Sequence, residues 1–277
     1  MSTQNALLTI LVEKINNDTL VLPTLPAIAL KVRRAADNPN VNLNDMSDVV
    51  GQDPSLSARM IKISNSAYLG RAIKVTSTTQ AVTRIGLYQV KNIATALAME
   101  QLFVSKNEIV KKYMAKVWTD TVDIVANAMA ALLTYQAATG KKNLNLDTMT
   151  LSALIANIGA LPVLTEAERH DSVFANLTFL DVAIEKLSGR IGGSIMREWQ
   201  FNEVFIQCAE HWRNLDFSEP TIDYIDFVRI GAALSNQADN ADEILTLALE
   251  KGIFTDIDVY QSPEFAEIRD NAKSIFA

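Results

Sequence analysis

Residues 51–103, GQDPSLSARMIKISNSAYLGRAIKVTSTTQAVTRIGLYQVKNIATALAMEQLF, read as three helices with their punctuation in place. Asp53 can cap a helix whose first position suits Pro54, because the N–H that proline lacks would have no intrahelical acceptor there. Leu56, Met60 and Ile63 then recur at spacings of four and three, which makes one buried face. Ser77 and Gln80 have capping-box spacing ahead of AVTRIG, and Gly86 can end that helix. A third run from Leu87 to Phe103 buries Leu87, Val90, Ala94 and Leu97.

The same grammar extends outward. Ser105 and Glu108 predict another capping box, opening the longest periodic run of the chain, which ends near Gly140. Val110, Met114, Val117, Thr121, Ile124, Ala128 and Leu132 hold its face over about nine turns. Asp147 is expected to cap the next helix, and Thr165 with Glu168 to open another. Helices are expected at 178–188, 191–200, 203–214 and 222–238, with Gly189, Gly192 and Gly193 marking a close turn or a tight helix contact. Ser262, Pro263 and Glu264 read as cap, first position and acidic first turn. Toward the N-terminus, Leu7, Leu8, Leu11 and Ile15 fall on one stripe. No segment sustains period-two alternation, so the expected class is all-α, a bundle of roughly a dozen helices.

Composition agrees with that class and narrows the function. The 277 residues are 49% apolar and only 7% aromatic, which suits a large core of packed helices. No run of 18 uninterrupted apolar residues predicts a membrane span, and the N-terminal stretch has no basic region of the signal-peptide kind. A lone Cys208 excludes an internal disulfide framework and fits a reducing cytoplasm, the expected location. The net charge of −7 argues against nucleic acid as a partner. It is unevenly spread: residues 1–106 hold 11 Lys and Arg against 7 Asp and Glu, and the remainder 14 against 25. That asymmetry is either ordinary solvated helix faces or a basic half that meets an acidic partner.

Motifs of phosphate chemistry are absent: there is neither G-x-G-x-x-G nor a P-loop lysine. Cys208 and His211 share a helix face, the spacing of a nucleophile and its base, but Val204 on that face favours a buried thiol. Asp120 with Asp123, and Asp223 with Asp226, are spaced to share a face and help hold a hard cation, as solvated helix faces also do.

The text LPTLPAIALKV, then GQDPSLSARMIKISNSAYLG, then KVTSTTQAVTRIGLYQVKNIATALAMEQLF resembles the N-terminal part of the HDOD family over residues 22–103, with looser similarity to about 240. The resemblance implies a bacterial, HD-domain-like helical bundle related to metal-dependent phosphohydrolases. It divides the chain into an N-terminal helix (1–21), an HDOD domain (22–240, split into a helical subdomain 22–105 and an HD-like core 106–240), and a helical extension (241–277).

In the related hydrolases, histidines and aspartates hold divalent metal that activates water. Here Asp120 stands at the first histidine, Ala156 and Asn157 at the His-Asp pair, Ser188 at the next histidine and Ala232 at the late aspartate. His211 persists, with Trp212 in place of a neighbouring histidine. The resemblance therefore implies a degraded site with no catalytic residue and no cofactor, where weak Mg²⁺ or Mn²⁺ binding between Asp120, Asn157 and His211 is the residual alternative. The expected function is a non-catalytic signalling module that binds a protein partner through a surface including Arg59, Asn65, Tyr68, Arg71 and Lys74. Two alternatives stand beside it: a residual phosphohydrolase of nucleotides or cyclic dinucleotides, and a small-ligand sensor in the vacated pocket.

Overall fold

A computed structural model describes residues 3–17, 19–66, 69, 73–169 and 177–276. Among these, fourteen α-helices and two short 3₁₀ turns occur, and no strand. The N-terminal half holds α1 (Thr3–Asn16), α2 (Ala27–Ala36), α3 (Leu43–Gly51), α4 (Pro54–Ser64), α5 (Thr78–Ile85) and α6 (Leu87–Ala98). A central α7 (Glu108–Thr139) is followed by α8 (Leu146–Leu154), α9 (Ala160–Arg169), α10 (Leu177–Glu198), α11 (Glu203–His211) and α12 (Tyr224–Leu234). The chain closes with α13 (Ala241–Glu250) and α14 (Pro263–Lys273).

Helix starts in the N-terminal half follow their sequence signals. The Asp53 carboxylate accepts the Leu56 N–H at 3.0 Å, with Pro54 at the first position of α4. Ser77 accepts the Gln80 N–H at 3.2 Å, but Gln80 turns back to the Thr76 N–H at 2.9 Å rather than closing the box on Ser77. Gly86, at φ 96°, joins α5 to α6 in a conformation that side chains rarely adopt. Ser262 and Pro263 open α14 as expected.

Several boundaries differ. The cap of α7 is Asn107, not Ser105: its side chain accepts the N–H of Ile109 and Val110 at 2.9 and 3.1 Å. Ser105 lies one turn short of the helix and instead accepts the Asn107 N–H at 3.0 Å. Asp147 falls inside the first turn of α8, where it accepts from Asn92 of α6 at 2.8 Å. Thr165 and Glu168 lie within α9 rather than opening a helix. The expected helices at 178–188 and 191–200 are one helix, α10. Its glycines do not break it; a Cβ at Gly189 would lie 2.5 Å from the Glu210 carbonyl of α11, so they permit close packing.

α7 is the axis of the molecule. It packs against α8, α9, α12 and α14, so the C-terminal helices complete its burial. α6 contacts both α2 and α8 and so joins the N-terminal half to the core. The halves are also tied by Trp199, whose Nε1 donates to the Pro23 carbonyl at 3.0 Å. Arg33 stacks on the Phe201 ring at 3.8 Å and donates to the Gln200 carbonyl. Lys14 pairs with the buried Glu166, fastening α1 to α9. One apolar cluster runs from Leu11 to Phe276. No helix among the described residues is long and apolar enough to cross a membrane.

Candidate functional site

α7, α10, the turn after α8, the loop after α11 and the segment 236–240 enclose a cleft of about 490 Å³. Close approach of backbones makes its wall. A Cβ at Gly159 would meet the Ser188 carbonyl oxygen at 1.9 Å, so α10 lies directly on the turn that follows α8. That turn presents Asn157, which is buried. Its Nδ2 donates to Thr121 Oγ1 of α7 at 3.1 Å, and its Oδ1 accepts from Arg213 Nη2 at 2.9 Å.

The loop after α11 is held by two interactions from different directions. The fully buried Trp212 donates its Nε1–H to the Ala156 carbonyl at 2.8 Å. Arg229, buried in the apolar α12, donates to the carbonyls of His211, Trp212, Asn214 and Phe217 at 2.6–3.1 Å. The His211 and Asn214 carbonyls also accept the N–H of Asn214 and Phe217, whereas those of Trp212 and Phe217 have no other donor among the described residues. The Arg213 guanidinium then lies 3.8 Å above the Trp212 ring, and its Nε is buried with no protein acceptor. Burial pulls the Arg213 pKa down to about 10, with the carboxylates of Glu185 and Asp239 acting in the opposite sense. At neutral pH it remains a cation.

Carboxylates line the rest: Asp120 from α7, Asp181 and Glu185 from α10, and Asp239. Asp120 is paired with Lys116 at 2.8 Å. Tyr113 donates to Asp181, and its phenol is pushed up by burial and by that bond. Val117, Ile184 and Ile244 supply apolar wall, and Asn236, Gln237 and Asn240 supply amides.

Of the predicted site residues, the structure brings Asp120 and Asn157 to this cleft but not His211. The His211 ring stacks on Phe217 at 4.3 Å, and the Asp120, Asn157 and His211 cation site is therefore not assembled. Ser188 and Ala232 are buried in helix packing. Among the described residues no group of three or more His, Cys, Asp or Glu side chains could hold a metal. With an arginine cation on the Asn157 oxygen, the residues present do not fit a divalent ion. The other carboxylate pairs have structural roles. Asp123 pairs with Lys273 of α14, while Asp223 and Asp226 form the capping box of α12. Cys208 is buried, and burial pushes its thiol up to about 12, which removes it as a nucleophile at neutral pH.

The expected interaction surface is also altered. Arg59 donates to Glu100 and to the Leu97 carbonyl, holding α4 against the end of α6. Asn65 is clamped to the backbone of Val75 by two 2.8 Å bonds. Lys74 is exposed. Tyr68 and Arg71 lie outside the described residues. Arg213 and Arg229 escaped the sequence reading altogether. The available signal was an arginine set among the apolar residues 224–234, which needs a buried set of acceptors.

A model of the HDOD domain family matches residues 22–215. Over the full length of both chains, the fold is similar to a crystal structure from Shewanella amazonensis SB2B, provisionally described as a metal-dependent phosphohydrolase, at 36% identity and a TM-score of 0.94. An HDOD domain protein of unknown function from Geobacter sulfurreducens shares the fold at 17% identity and a TM-score of 0.62, covering 99% of this chain and 98% of its own. An uncharacterized protein of Treponema pallidum is 26% identical over 206 residues; the match covers 74% of this chain and 37% of that curated relative's length. The order of caps, the helical core and the matched span agree: this chain belongs to the HDOD family.

Proposed function

We propose that the chain is a non-catalytic regulatory module of cytoplasmic signal transduction, acting by contact with a protein partner. The observation that supports this reading is the Arg213 guanidinium on Asn157, at the position where the resemblance places a metal-ligating aspartate. A fixed monocation gives structural charge, but it has no open coordination position for water and no Lewis acidity. The N-terminal half carries the excess of basic residues that an acidic partner surface would complement.

The test is metal analysis of the purified protein, with phosphatase and phosphodiesterase assays in Mg²⁺ and Mn²⁺. Substoichiometric metal and no turnover are expected. Stoichiometric metal with a turnover abolished by Asp120→Ala would overturn the reading in favour of a residual phosphohydrolase, the class that the Shewanella relative's description names. The partner surface is tested separately by Lys74→Glu, which should weaken capture of the partner and leave helicity unchanged.

A further inference from the structure

We propose that the cleft over Arg213 binds a small zwitterion of the α-amino acid class, with its carboxylate on the guanidinium and its ammonium between Glu185 and Asp239. This inference rests on the reading above that the cleft is not a metal site. Three independent features point to that ligand class.

The first is an anion receptor. A guanidinium carries five N–H donors, and Arg213 makes one hydrogen bond among the described residues, to Asn157. Its Nε lies buried in the floor without an acceptor. Trp212 beneath and Asn157 beside it hold the group in place, so an incoming carboxylate meets a pre-positioned, poorly hydrated cation.

The second is a pair of carboxylates on the same cleft. Glu185 and Asp239 are exposed at the cleft and both act on the Arg213 charge. Among the described residues neither has an ion pair, whereas Asp120 is taken by Lys116 and Asp181 by Tyr113. The two carboxylates left open therefore face the one cation with donors to spare.

The third is selectivity against the neighbouring chemistries. With four carboxylates against Lys116 and Arg213, the lining repels a phosphate dianion, so a nucleotide is disfavoured. A simple polyamine would offer Arg213 no acceptor and add a like charge beside it. The apolar wall of Val117, Ile184 and Ile244 and a volume near 490 Å³ leave room for a side chain.

The experiment screens the full chain by thermal denaturation against the free amino acids, with AMP, GMP and spermidine as contrasting probes, followed by calorimetry on any hit. At least one amino acid should raise the melting temperature by roughly 5 °C near saturation. Its carboxamide and its N-acetyl derivative should each lose binding by at least about tenfold, since each removes one ligand charge. Glu185→Gln with Asp239→Asn, both at exposed positions, should lose it likewise. No response to any amino acid, stabilisation by a nucleotide or spermidine instead, or a hit indifferent to the carboxamide and to the double variant would each overturn the inference. Those results leave the non-catalytic reading standing, which falls only to bound metal and turnover.

Discussion

The N-terminal half and the HD-like core contain similar helices but fix them by different means. In the N-terminal half, the uncharged polar side chains and Asp53 act close to home: Asp53, Ser77 and Asn42 cap their own helices, and Asn65 clamps a backbone ten residues on, while Lys14, Arg33 and Arg59 reach further. In the core, Asn157, Arg213 and Arg229 join segments that are distant in sequence, and they do so under cover from solvent. Two glycines inside helix contacts of the core contrast with one at a helix end of the N-terminal half. A Cβ on Gly51 would meet nothing within 4 Å, whereas one on Gly159 or Gly231 would strike a neighbouring backbone carbonyl at 1.9 or 2.5 Å. Backbone-to-backbone packing leaves no slack, and it is this half that keeps a cleft of fixed shape.

The sharpest way to break the comparison is a pair of alanine substitutions. Gly159→Ala should cost about 4 kcal/mol or more, or abolish folding, because neither α10 nor the turn can retreat. Gly51→Ala should leave stability unchanged or raise it by about 0.5–1 kcal/mol through helix propensity. Urea denaturation of the two variants decides it; equal losses would mean that the halves do not differ.

Next in size is Arg229→Ala, expected to cost about 3 kcal/mol by removing its bonds to four carbonyls, of which those of Trp212 and Phe217 have no other donor among the described residues. Because the loop carrying Trp212 loosens with it, tryptophan fluorescence should shift red in the folded variant. A stable variant with an unchanged spectrum would show that the loop is held by packing alone.

The smallest effects belong to the N-terminal half. Asn65→Ala should cost about 1–2 kcal/mol, the worth of two hydrogen bonds to backbone. Arg59→Ala should stay within about 1 kcal/mol, since its ion pair with Glu100 is partly exposed and screened. Should Arg59→Ala prove the more damaging of the two, the carbonyl of Leu97 would be the contact that matters.

Legibility follows the same division. Asp53, Pro54, Ser77 and Ser262 were readable because a cap and its N–H partners lie within three residues. Ser105 misled because Asn107, two residues later, offers a better-placed oxygen. That Ala156, Asn157, Ser188 and Ala232 stand where the resemblance places metal ligands is legible in the sequence, since identity at a motif position is a property of the string. The resemblance places His211 among the ligand positions, but a motif position does not say which neighbour covers the ring, which here is Phe217.

The sequence by itself determined the helical class, most helix starts and the family, all of which are local in the chain. Only the tertiary structure decided which groups meet around Asn157. Arg213 reaches Asn157 across 56 residues, Arg229 gathers the carbonyls that hold the intervening loop, and Gly159 lets α10 close upon it. The physical reason is desolvation: a buried charge or carbonyl must find a partner wherever the fold provides one, and that partner is set by packing rather than by sequence distance.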